Sequence, residues 1–240
     1  MSHILLMAAV IGTLFVVNLI NNRMAKKSYL LVCLCGTAAL LGIALLDGLS
    51  WTDLGLGKST LYDGLLWSGV VFALVVVFYA IAATLPFSRR GFADKRAAEQ
   101  GWLSLLYNSM IRIPLGTALL EEVAFRGVLL AIGAQVWAQS AHEGFWAGAL
   151  ISSVLFGLWH ILPSLEFHES NEAAGILGEG RPGQVKSVIL TVLGTAAAGL
   201  GFCVLRDFSG SLLPPFVLHA SLNAIGLAVS WAFARRLREL

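Results

Sequence analysis

Three stretches of the chain hold residues whose types and spacing could do chemistry. LLEEVAFRGVLL, residues 119–130, sets Glu121, Glu122 and Arg126 among apolar neighbours, while FGLWH places Phe156 and His160 four apart and HASLN places His219 and Asn223 four apart. A charge at the centre of a bilayer costs about 2.5–3.5 kcal/mol on insertion scales, so ionisable groups in such runs face a bundle interior and act there. A glutamate four residues before an arginine is the favourable order for an ion pair on one helix face, so Glu122 and Arg126 can neutralise each other. Glu121 points about 100° away from Glu122 and needs a group on another span, a water or a proton. A carboxylate only accepts hydrogen bonds, a neutral histidine offers one donor and one acceptor, and an asparagine supplies two donors. A glutamate with a histidine can deprotonate a water held between them, while a second histidine and an asparagine can donate to a developing oxyanion. That is the inventory for hydrolysing an amide.

Each residue also has an ordinary structural use. A histidine or asparagine on an apolar helix often only joins helices through a hydrogen bond, and helix geometry does not say whether Glu121 is a base or a proton relay. His3, His142 and His168 fall at a terminus or in loops and read as solvated. The small residues Gly194, Ala198 and Gly201 read as close helix packing. Trp67, Trp102, Trp137, Trp146 and Trp231 fall near span ends, where aromatic belts occur.

The elements that must position these groups follow from composition. Of 240 residues, 58% are hydrophobic and only 12% are charged, and the mean hydropathy is +0.80; soluble domains run at roughly 45–50% apolar and about 25% charged. A spanning helix needs about 20 apolar residues. The runs Ile4–Ile20, Tyr29–Leu46, Leu61–Leu85, about Leu103 to Trp137, Phe145–Leu162, Val185–Leu205 and Leu212–Ala234 predict an all-α polytopic transmembrane bundle of about seven spans, six to eight, in a single integral-membrane domain over residues 1–240. The first run lacks a positive leader and is followed by Arg23, Lys26 and Lys27, so it reads as a retained span rather than a secretory signal. Basic clusters in alternate loops (Arg89, Arg90, Lys95 and Arg96; Arg181 and Lys186; Arg235, Arg236 and Arg238) predict an outside N-terminus and a cytoplasmic C-terminus, with Arg206 as the exception. The connections Pro86–Gly101 and Pro163–Gln184 read as cytoplasmic loops, the first able to lie as an amphipathic surface helix. A formal charge of +2 gives no footprint for nucleic acid. Cys33 and Cys35 lie two apart on a helix and point apart, so they support neither a disulfide nor a thiolate metal site. On these spans His160 lies near the cytoplasmic end of one helix and His219 near the outer end of another, a depth mismatch that broken helices at Pro163 and Pro214–Pro215 could relieve.

EEVAFRG, FGLWH and HASLN, in that order, resemble the CAAX prenyl protease and bacteriocin-processing family of intramembrane glutamic proteases, whose pattern is Glu-Glu-x-x-x-Arg, Phe-x-x-x-His and His-x-x-x-Asn. All three motifs are matched without departure, on separate spans. The resemblance implies a protease core over about residues 103–234 that hydrolyses a membrane-associated peptide or protein at the lipid bilayer, without cofactor or metal. It implies that Glu121 with His160 activates water, that His219 and Asn223 stabilise the oxyanion, and that Glu122, Arg126 and Phe156 support the site. It does not distinguish prenylated from other substrates. Two rivals stand beside it. A zinc metalloprotease could use the same His and Glu, although there is no His-Glu-x-x-His pair and Asn is a poor zinc ligand. A non-catalytic scaffold, or an immunity or regulatory protein, could share the fold. A transporter is weaker still, because no repeated half with paired broken helices is visible.

Overall fold

The computed structural model describes residues 3–24, 26–86, 89–92, 97, 99–136, 140–170, 178 and 180–238. Trp137, Lys95 and Arg96 lie outside the described residues, as do the side chains of His3, His142 and His168, so the readings placed on them have no structural counterpart.

Among the described residues every regular element is helical. The long ones are α1 (His3–Leu19, continued by a π turn Ile20–Met24), α2 (Tyr29–Leu46), α3 (Leu61–Thr84), α4 (residues 102–136), α5 (Ala141–Trp159), α6 (Ile161–Ser170), α7 (Gly180–Ser209) and α8 (Leu213–Arg238). Six of the helical stretches are long and apolar enough to cross a membrane. α4 is not one of the six, and the chain is an all-α, multi-pass membrane protein.

Proline placement explains several boundaries. Leu85, held extended at φ −84°, ψ 127°, ends α3 because a residue before proline is pushed out of the helical region. Pro163, Pro182, Pro214 and Pro215 fall in the first turns of α6, α7 and α8, where no intrahelical N–H is lost. Pro114 alone lies inside a helix, and α4 widens into π turns around it over Asn108–Ala118, which accommodates the missing donor and the ring. A second widened run, Val123–Leu129, begins directly after Glu122 and holds no proline; such turns recur at functional sites.

The middle of α4 is the centre of the molecule. Leu120, Val123, Phe125, Val128 and Ile132 are buried against Leu6, Val10 and Leu14 of α1, Cys33 and Leu40 of α2, and Phe156 of α5. α5 runs back along α4 at very short range: a Cβ on Gly148 would stand 2.5 Å from the Leu130 carbonyl oxygen, and one on Gly133 would stand 2.6 Å from the Gly148 Cα. α7 lies on α5 through Gly157, whose Cβ would meet the Val192 carbonyl at 2.6 Å, and through Gly199. Gly194 and Gly201, read from sequence as packing residues, have open space beside them, and Ala198 is exposed with them. The contact is made by the neighbouring face, because small residues on both faces of an apolar helix leave no sign of which one meets protein.

Two connections also differ from expectation. Pro163–Gln184 is helical at both ends, belonging to α6 as far as Ser170 and to α7 from Gly180. Within Pro86–Gly101 a turn forms at Arg89–Phe92, and Phe92 is buried and stacked on Phe233 of α8 with ring centroids 5.4 Å apart. The thiols fall as the spacing predicts, Cys33 buried and Cys35 exposed, and both are free along with the buried Cys203.

The depth mismatch disappears at the α7–α8 turn. Ser209, Ser211 and Leu212 are buried, Gly210 takes φ +62°, and the Leu212 N–H donates to the Gly55 carbonyl at 2.8 Å. α8 therefore starts inside the molecule, which lowers His219 towards the level of Glu121. Arg206, the exception to the charge pattern, donates to the carbonyls of Thr52 and Asp53 at 3.4 and 3.2 Å and fixes that same inner loop.

Candidate active site

α4, α5 and α8 bring six of the predicted groups together. Glu121, Glu122, Arg126, Phe156 and His219 are all buried, and the His160 side chain is one-fifth exposed. Arg126 Nη1 donates to Glu122 Oε1 at 3.1 Å, the pair that the spacing predicts. Its guanidinium lies over two rings, 4.0 Å from the Phe156 centroid and 4.8 Å from that of Phe202, and its Nη2 faces Gly199, where a Cβ would come within 3.2 Å. Two aromatic faces and one carboxylate thus share the buried cation.

The spacing does not foretell that His219 bonds the same carboxylate. Its Nδ1 stands 2.7 Å from Glu122 Oε1, so Nδ1–H is the donor and the ring orientation is fixed. Its other nitrogen, Nε2, lies 3.7 Å from Glu121 Oε2. One histidine therefore bridges the environments of two adjacent glutamates.

Glu121 is held differently. Its Oε1 accepts from the Trp159 indole N–H at 3.0 Å, whereas its Oε2 is buried with no hydrogen-bond partner among the described residues. His160 Nε2 lies 3.9 Å from that oxygen. His160 Nδ1 is 2.8 Å from the Phe156 carbonyl, a contact that requires Nδ1 to carry the proton and leaves Nε2 as an acceptor in the neutral ring. The Phe156 ring sits edge-on to His160, with centroids 4.6 Å apart. Phe156 thus holds His160 by its carbonyl and Arg126 by its ring.

Trp159 is the site residue that sequence reasoning missed. It lies within FGLWH beside His160, and the available signal was chemical: an indole N–H in a buried position needs an acceptor. Asn223, one turn beyond His219 on α8, is exposed, its side chain makes no polar contact with the cluster around the two glutamates among the described residues, and it lines a polar cavity of about 570 Å³ with Arg112 and Asn108. Among the described residues no three His, Cys, Asp or Glu side chains stand together as a metal ion requires.

The family model described as type II CAAX prenyl endopeptidase Rce1-like matches residues 99–225, and the chain belongs to that family. No curated protein and no solved structure matches the chain. The matched segment contains every residue of the cluster around the two glutamates.

Proposed function

We propose that this protein is an intramembrane endopeptidase in which Glu121, with His160, activates the water that attacks a peptide bond. The observation that carries the reading is Glu121 Oε2, buried with no hydrogen-bond partner among the described residues and with the His160 Nε2 acceptor 3.9 Å away. A water between these two acceptors would give one hydrogen to each. Glu121 takes a proton, the remaining hydroxide bonds to the carbonyl carbon, the C–N bond breaks, and the proton passes to the departing amine. His219 presents Nε2 to the carbonyl oxygen. To donate from both nitrogens its ring must be protonated, and Glu121, Glu122, Arg126 and His219 then sum to zero charge. Asn223, one turn along the same helix, supplies a further donor to the oxyanion.

The family description, a CAAX prenyl endopeptidase, supports a lipid-anchored C-terminal peptide as the substrate class, and on this reading the proteolytic core is α4–α8 and the cut falls near the cytoplasmic face. In a C-a-a-X sequence the lipid-bearing cysteine is followed by three residues and a free carboxylate. The test is cleavage of such a peptide by purified protein in lipid vesicles, with a strong chelator present and the products located by mass spectrometry in oxygen-18 water. One labelled oxygen in the new carboxylate is expected. Failure to cleave lipid-anchored peptides refutes the reading, and chelator inactivation reversed by zinc moves Glu121, His160 and His219 from direct chemistry to ligation.

A further inference from the structure

The polar cavity beside Asn223 contains a cation with no anionic partner among the described residues. Arg112, on the widened part of α4, is the only charged side chain among the described residues that line it. The guanidinium carbon lies 4.1 Å over the Tyr29 ring. Tyr29 is itself fixed, its hydroxyl 2.9 Å from that of Thr117 and its ring against Gly116, where a Cβ would come within 3.1 Å. A guanidinium held over a ring rather than bonded to an anion keeps N–H groups available, and its fork matches a carboxylate in two places. A half-buried cation on a membrane helix that faces polar space is an expensive feature, and its natural complement is an anion brought by a ligand.

We propose that Arg112 binds the free C-terminal carboxylate of the peptide substrate, and that the cavity holds the residues between that carboxylate and the bond to be cut. The assignment rests on the endopeptidase reading above. Glu121 lies nine positions beyond Arg112 on the same helix, about 13 Å at 1.5 Å per residue, and the widened turns shorten the distance. Three extended residues span about 10 Å, a length the arginine side chain reconciles. Asn223 lines the cavity, and His219, one turn earlier on α8, lies 3.7 Å from Glu121. The amide groups of Asn108 and Gln100, joined at 2.9 Å, offer polar contacts for the peptide backbone in between. The cavity therefore selects for a chain terminus and against an internal segment.

The test compares a lipid-anchored peptide ending in a free carboxylate with the same peptide ending in an amide. For the wild-type protein in vesicles, KM is expected to be about 10–100-fold lower for the acid, the range for hydrogen bonds to a charged group, with similar kcat. Arg112→Gln should raise KM for the acid by that factor and leave the amide unchanged, and Arg112→Lys should recover part of the loss. Equal KM for acid and amide in the wild type overturns the assignment, as does an Arg112→Gln variant that handles both peptides equally worse. Equilibrium dialysis of the tripeptide acid and its amide separates this proposal from the catalytic one. Preferential retention of the acid by a protein that cuts nothing supports the subsite while refuting the protease, and equal retention refutes the subsite.

Discussion

Glu121 and Glu122 are consecutive, buried and on one helix, yet they stand in opposite environments. Glu122 is tied through one oxygen to two charged or polar partners: Arg126 and His219 both bond its Oε1 and aromatic rings cover the arginine, while its Oε2, like that of Glu121, has no hydrogen-bond partner among the described residues. Glu121 is half open, one oxygen tied to Trp159 and the other facing two imidazole nitrogens beyond hydrogen-bond reach. A carboxylate whose charge is met by a bonded arginine is a structural anchor, whereas one with no cation bonded and a free oxygen facing a second acceptor can take a proton from something placed between them. The pair shows how adjacent identical residues divide the work of holding a site and reacting in it.

The largest effect should fall on the open side. Glu121→Gln keeps size and one acceptor but cannot take a proton, so turnover should drop by about 10²–10⁴ while the protein folds and melts as before. Measured on the lipid-anchored peptide, a variant that retains wild-type turnover would remove Glu121 from the chemistry.

The closed side should respond in stability. Glu122→Gln and Arg126→Ala each leave a buried charge uncompensated, a change that costs about 3–5 kcal/mol in soluble proteins. Both should lower thermal stability in detergent, and Glu122→Gln should also impair turnover through the loss of its bond to His219. Wild-type melting of both variants would show that the ion pair holds nothing.

A finer division lies within the Glu121 environment. Trp159→Phe preserves most of the ring volume and removes only the donor to Oε1, a hydrogen bond to a charged group of about 1.5–3 kcal/mol. Part of that loss should appear as about tenfold lower kcat with KM little changed, since Glu121 is then less firmly oriented. A change confined to KM would place the indole in substrate binding instead.

How much of this could be read beforehand depended on whether a feature is local. Six spans follow from apolar run length alone, whereas α4 does not meet that criterion, and the Glu122–Arg126 pair follows from two residues four apart on one helix. The His219–Glu122 and Trp159–Glu121 bonds join helices distant in sequence, so spacing is silent on them. The apolar runs alone set His160 and His219 at different depths, since they start α8 at a membrane surface. The two histidines come together because the Leu212 N–H has a partner in Gly55 and draws the turn inward. Asn223 carries a motif position, but its exposure on the wall of the Arg112 cavity depends on helix rotation, which an apolar sequence does not encode. The same ambiguity misplaced the packing face of α7.

That face permits the smallest and most controlled test of the closed environment. A methyl group added at Gly199 would meet Arg126 Nη2 and the Phe156 ring at 3.2 Å and the Ser153 Cα at 3.3 Å. These contacts are tight enough that the arginine stack must shift by a few tenths of an ångström, and overpacking of this kind costs about 1–3 kcal/mol. Gly194, on the same helix, would place its methyl group in open space, where replacing glycine by alanine removes backbone entropy from the unfolded chain and stabilises by about 0.4–1 kcal/mol. Gly199→Ala should therefore lower the melting temperature in detergent and Gly194→Ala should leave it unchanged or raise it, although sequence alone ranks the two glycines alike. If Gly194→Ala is the more damaging, α7 meets its neighbours through the other face, and Gly199 does not back the arginine that closes the Glu122 side.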